Sequence, residues 1–121
     1  MSYTIDLPPG IERAIFQVVR QYTSLHPVPR GKLVEDVNRF GHPADERQVR
    51  EAIKSLRRKG YLICATAGVG GGYFIAHSYA EYLSFRQREI ESRIKDLAET
   101  MRAMDAAARE RFGEGVQIGL F

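Results

Sequence analysis

From Tyr79 to Phe112 the chain runs thirty-four residues without a glycine or a proline. Ala80, Leu83, Gln87, Ile90, Ile94, Leu97, Met101, Met104 and Ala108 recur through it at alternating spacings of three and four. That spacing draws one uninterrupted seam along a helix, the heptad pattern of helices that pair. A helix of this length is about 50 Å long. The rest of a 121-residue chain makes one small domain, too short to cover it. Glu89 with Arg93, Glu91 with Lys95, and Asp105 with Arg109 stand four apart in the favourable order and suit its exposed flanks. No second long helical pattern supplies an apolar face. The expectation is therefore a homodimer through Leu83, Gln87, Ile90, Ile94, Leu97, Met101 and Met104, with Gln87 setting register. Parallel and antiparallel pairing both remain open.

Shorter elements precede it. After Pro8-Pro9-Gly10, the residues Ile11, Ile15, Val18, Val19 and Tyr22 form a helical stripe. His26-Pro27-Val28-Pro29 leaves room for a very short extended segment. A second helix is predicted over 31–40, with Leu33, Val34, Val37 and Phe40 on one face, ended by Gly41-His42-Pro43. A third is predicted from Asp45 to Lys59, capped near Asp45, buried through Val49, Ala52, Ile53 and Leu56, and stopped by Gly60. Tyr61–Ala65 and Tyr73–Ala76 read as the strands of a hairpin around the flexible glycine run Gly68-Val69-Gly70-Gly71-Gly72. Ser78 with Glu81 is a capping box that opens the long helix. Domains are expected at 1–78, 79–112 and 113–121, the last a flexible tail.

Net charge is only +3, so its distribution decides what it means. Residues 45–60 hold six basic and three acidic side chains, residues 61–78 hold none, and residues 79–112 hold seven of each. The basic excess therefore lies on the third helix. Stepping 100° per residue from Val49 puts Arg47, Glu51, Lys54 and Arg58 on the opposite side, with Arg50 at its edge. These five, with Thr66 of the hairpin, are the candidate DNA contacts. Cations there neutralise phosphates, arginine forks onto a guanine edge, and Glu51 can accept from a cytosine amine. Glu51 can equally pair with Arg47 or Lys54 along the helix, which would leave an ordinary solvated face.

The order helix, helix, helix, hairpin is that of a winged helix-turn-helix. The run Val49–Ile63 resembles the recognition helix and first wing strand of many bacterial winged-helix proteins, and Gly71-Gly72-Tyr73-Phe74-Ile75-Ala76 is similar to their returning strand. The resemblance covers residues 11–77. It implies a mainly α fold, three helices plus a two-stranded wing followed by the long dimerisation helix. It implies a cytoplasmic, non-enzymatic protein of bacterial or phage origin that binds double-stranded DNA, most simply a transcription regulator. A protein-binding winged-helix module is a weaker alternative, favoured by the neutral wing.

Several chemistries find no support. The glycine run lacks a following Gly-Lys-Ser or Gly-Lys-Thr and joins two strands, so it is no phosphate loop. His26, His42 and His77 stand apart, and Cys64 is the single cysteine, so no metal or other cofactor is expected. Tyr61, Tyr73, Phe74, Tyr79 and Tyr82 offer stacking surfaces to single strands, but fit better as core between wing and long helix. No apolar run approaches the length of a membrane span, and Met1-Ser2-Tyr3-Thr4 lacks the regions of a signal peptide.

The last five residues, Gln117-Ile118-Gly119-Leu120-Phe121, resemble the short motif by which bacterial replication and repair proteins dock on the DNA polymerase sliding clamp. The resemblance implies that Leu120 and Phe121 fill an apolar pocket while Gln117 fixes orientation and Ile118 packs beside it. The clamp is thus a second expected partner, and a replication or repair accessory the alternative role. Full-length protein is expected to bind a purified bacterial clamp, and a chain ending at Phe112 is expected to lose that binding. Equal binding by the two, or none by either, removes the docking role.

Overall fold

The structure is a computed structural model that describes residues 7–113. The tail motif Gln117–Phe121 lies outside the described residues. Two compact units divide the chain, the first ending at Phe85 and the second beginning at Arg86.

The first unit contains α1 (Ile11–Val19), α2 (Arg30–Arg39), α3 (Glu46–Arg58), β1 (Ile63–Thr66), β2 (Gly72–Ile75) and α4 (Tyr79–Phe85). The expected order of three helices and an antiparallel hairpin is present. The apolar stripes point inward. Ala14, Ile15, Phe16, Val18 and Val19 of α1 are buried, as are Leu33 and Val37 of α2 and Val49, Ala52, Ile53 and Leu56 of α3. They share one core with Val28, Ile63, Tyr73 and Ile75. Each fully buried Leu, Ile, Val or Phe contributes about 1.5–3 kcal/mol of hydrophobic stabilisation before ordering costs.

Asn38 fastens the turn between α2 and α3. Its Nδ2 donates to the carbonyls of Val34 (2.8 Å) and Ala44 (3.2 Å), and its Oδ1 accepts the Ala44 N–H (3.0 Å). α3 then starts in a full capping box: Asp45 Oδ1 accepts the Gln48 N–H, and Gln48 Oε1 accepts the Asp45 N–H. Gly60, with φ of 96°, ends the helical path in the left-handed conformation. The first strand starts later than predicted. Tyr61 is still tied to the end of α3, its N–H donating to the Leu56 carbonyl and its ring meeting Phe16 edge-on at 5.0 Å.

The hairpin pairs Ile63 with Ile75, Cys64 with Phe74, Ala65 with Tyr73 and Thr66 with Gly72. Val28 adds a third, single-residue pairing, exchanging N–H···O bonds of 2.8 and 2.9 Å with Tyr73. That approach explains part of the glycine run. A Cβ on Gly72 would stand 2.1 Å from the Val28 carbonyl oxygen, and one on Gly71 2.5 Å from that of Thr66. Gly72 is buried, so these two glycines admit neighbouring backbone rather than loosen a tip.

Ile63, Tyr73 and Ile75 face the three helices, while Cys64, Phe74 and Ala76 cluster with Phe85 of α4. α4 therefore belongs with the first unit, which reaches seven residues past the boundary expected at 78. Two groups dock it. Arg57 Nε donates to the Ile63 carbonyl (2.7 Å), and its guanidinium lies 5.0 Å from the centre of the Phe85 ring. Glu81 accepts the Ser24 hydroxyl (2.5 Å) and the His77 N–H (2.7 Å), while its own N–H donates to Ser78 Oγ. The expected capping box is thus half formed, its return bond taken by His77 rather than Ser78.

The long C-terminal helix expected over 79–112 is present, with one local departure from α geometry. Arg86–Glu91 is a π-helical turn, followed by α5 (Ser92–Phe112). Arg86 Nε stands 3.5 Å from Glu91 Oε2, a pairing five residues apart that follows the π repeat, and Ser92 Oγ donates to the Arg88 carbonyl. A π turn absorbs one extra residue. The seam positions Gln87 and Ile90 fall inside this turn, where the 3.6-residue repeat does not hold. Phe85, which the heptad pattern omits, is the buried anchor of α4.

Two outcomes are expected. Gly72→Ala forces backbone apart and should lower stability by roughly 1–3 kcal/mol or more. Gly70→Ala, with open space and φ of 77°, should cost only about 1 kcal/mol. Denaturant melts that rank them equally would disprove the close-approach account. Separately, the Ser24 hydroxyl bond, then the His77 N–H, hold the Glu81 carboxyl below its ordinary value. Its stabilisation is present at neutral pH and lost as pH falls through the lowered folded value. Glu81→Gln should flatten the acid limb of thermal stability measured between neutral pH and the carboxylate range.

Candidate nucleic-acid interface

The buried stripe of α3 fixes which side of the helix meets solvent. Arg47, Arg50, Glu51, Lys54 and Arg58 are all exposed on the side away from the core. From Arg47 to Arg58 the helix rises about 16 Å, about three turns of exposed cation. None of the five makes an ion pair among the described residues. The pairs that form lie elsewhere: Lys32 and Arg39 with Asp36, Lys59 with Glu12, and Arg86 with Glu91. The intrahelical pairing of Glu51 with Arg47 or Lys54, left open by the sequence, is not made.

The other two cations of the segment have structural work. Lys59 Nζ meets Glu12 Oε1 at 2.7 Å, and Ser55 Oγ donates to Glu12 Oε2 at 3.0 Å, so α1 grips the C-terminal half of α3. Arg57 joins α3 to β1 and α4, as described. The basic excess is thus sorted, with four cations presented outward and two holding the helix.

Thr66 closes β1. It is half-buried, and its Oγ1 accepts the Gly72 N–H at 3.3 Å, which shapes the hairpin tip. Beyond it Ala67, Gly68, Val69 and Gly70 are exposed and uncharged. Arg30 changes the picture of a neutral hairpin. It opens α2 and lines a cavity of about 370 Å³ with Thr66, Ala67, Gly68, Gly71 and Gly72. The chain approach at Val28–Tyr73 is what brings it there. Its only sequence signal is its place two residues after Val28, directly behind Pro29.

The aromatic residues do not form a stacking platform. Tyr73 and Phe74 are buried, Tyr61 and Tyr82 are half-buried, and only Tyr79 is well exposed, 6.1 Å from the Tyr82 ring. Cys64 is buried in the hairpin, its Sγ 3.7 Å from the Leu62 carbonyl oxygen. Among the described residues no group of three or more His, Cys, Asp or Glu is arranged to hold a metal ion, and no helix is long and apolar enough to cross a membrane. Of the expected pairing residues, Ile90, Ile94, Leu97, Met101 and Met104 are exposed, Gln87 is exposed within the π turn, and Leu83 is half-buried in the first unit. No family model, curated protein or solved structure matches the chain.

Proposed function

We propose that this chain is a non-enzymatic winged-helix protein that binds double-stranded DNA, most simply as a transcription regulator. The exposed face of α3 enters the major groove, and the hairpin with Arg30 follows the backbone beside it. One observation carries the reading: Arg47, Arg50, Lys54 and Arg58 stay unpaired among the described residues, on a helix whose other cations are committed internally. Unpaired cations on a rigid helix keep their full attraction for phosphate and need no internal bond broken to meet it. Arg47 and Arg50, near the start of α3, have the planar fork that matches guanine O6 and N7. Glu51, one turn past Arg47 and next to Arg50, repels phosphate and accepts from cytosine, so it helps orient the helix rather than strengthen binding.

The weakly charged hairpin limits affinity. With about four or five phosphate contacts, the logarithm of the binding constant should fall against log salt with a slope near −4. Arg47→Ala with Lys54→Ala is expected to reduce that slope by about 2 while leaving stability nearly unchanged, and Arg30→Ala by about 1. Lys59→Ala, which loses the Glu12 pair, should lower stability and leave the slope alone. Fluorescence anisotropy on a duplex across a salt series measures the first, and thermal melts the second. Wild-type protein without salt-dependent duplex binding would refute the DNA reading and favour the protein-binding module.

A further inference from the structure

α5 carries Ile94, Leu97, Met101 and Met104 on one stripe, with relative exposures of 61%, 69%, 57% and 67%. Ile90, in the π turn before them, is 42% exposed. Scattered apolar side chains are normal on a surface, but a contiguous line of them on one helix face marks an interaction site. Full burial of each would be worth about 1.5–3 kcal/mol before ordering costs.

Spacing and charge select the occupant. The residues follow the alternating three-and-four spacing whose knobs fit the holes of a helix with the same spacing. α5 has 21 residues, about three heptads and roughly 31 Å. Between Ser92 and Phe112 there are five basic and four acidic side chains, interleaved along the helix. A strongly charged flank would call for a partner of opposite sign. A near-neutral, mixed flank meets its own copy without a like-charge excess, and a two-fold pair presents the same patch twice.

We propose that a second copy of this chain covers the stripe from Ile90 to Met104, and that the interface ends there. The turn holds its own geometry. Arg86 and Glu91 pair at the five-residue spacing, and the Ser92 hydroxyl takes the Arg88 carbonyl. Upstream, Phe85 is buried against Cys64 and Phe74, so the inward face of α4 is already in use. The inference stands apart from the DNA reading, because neither the stripe nor the π turn includes a residue of α3 or the hairpin.

Sedimentation equilibrium of the full chain, without DNA, tests it with two variants. Wild-type protein is expected to be a dimer at tens of micromolar, on the order of ordinary assay concentrations. Ile94→Asp puts an unpaired carboxylate into the stripe and should weaken association by roughly a hundredfold or more, giving a monomer with unchanged helical circular dichroism. Ala80→Glu is at an exposed position outside the stripe, and it should leave the dimer within about threefold of wild type. A monomeric or higher-order wild type, or an Ile94→Asp dimer, overturns the pairing. An Ala80→Glu protein that dissociates as fully as Ile94→Asp overturns the limit set on the interface.

Discussion

Glu12 of α1 reaches across to α3 and accepts both the Ser55 hydroxyl and the Lys59 ammonium. With the buried stripe of Val49, Ala52, Ile53 and Leu56, this contact fixes the rotation of α3 about its own axis. The rest of the candidate interface depends on that rotation. A helix with six cations in sixteen residues of sequence has no preferred outward face until something is held inward. The core takes the apolar side, Glu12 takes Lys59, and the Ile63 carbonyl with the Phe85 ring takes Arg57. What remains outside is Arg47, Arg50, Lys54 and Arg58, and it remains there as one surface. Asn38 and the Asp45–Gln48 box fix the start of α3 in the same way.

The hairpin is positioned by backbone rather than by side chains. Val28 and Tyr73 exchange two hydrogen bonds, and Gly72 has no Cβ to prevent it. Because Pro29 and Arg30 follow Val28 directly, this pairing also sets where α2 begins. Arg30 therefore stands beside the hairpin tip as a consequence of sheet pairing. A cation reaches a segment that has none of its own.

Much of the first unit was legible because its signals are periodic. The stripes of α1, α2 and α3, the Asp45 cap and the Gly60 stop each follow from spacing or from a residue type with one physical use. The exposed face of α3 was legible for the same reason, since its five side chains follow once Val49 is placed inside. Arg30 was not, because its relation to the hairpin runs through a pairing of residues 28 and 73, and one sequence carries no direct mark of a long-range pair. Asn38 was missed likewise: its three bonds depend on the turn having folded. The glycine run was half legible. Gly68 and Gly70 have positive φ as a turn requires, whereas Gly71 and Gly72 answer to backbone on other segments.

The long helical pattern shows where periodicity misleads. A heptad count assumes that each residue turns the chain by the same angle. Arg86–Glu91 breaks that assumption with a single absorbed residue, and no glycine or proline announces it. The nine seam positions remain apolar or small, apart from Gln87, but they run through a turn that departs from α geometry. Leu83 is half-buried in the first unit and Ile94 is largely exposed in the second. The clues were chemical rather than periodic. Arg86 and Glu91 are oppositely charged five apart, Ser92 is a hydroxyl four residues past Arg88, and Phe85 is a large apolar residue outside the seam. Phe85 packs against Cys64 and Phe74, a demand that the seam spacing does not record. A π turn departs from the 3.6-residue repeat, so a count that assumes that repeat cannot be carried through it.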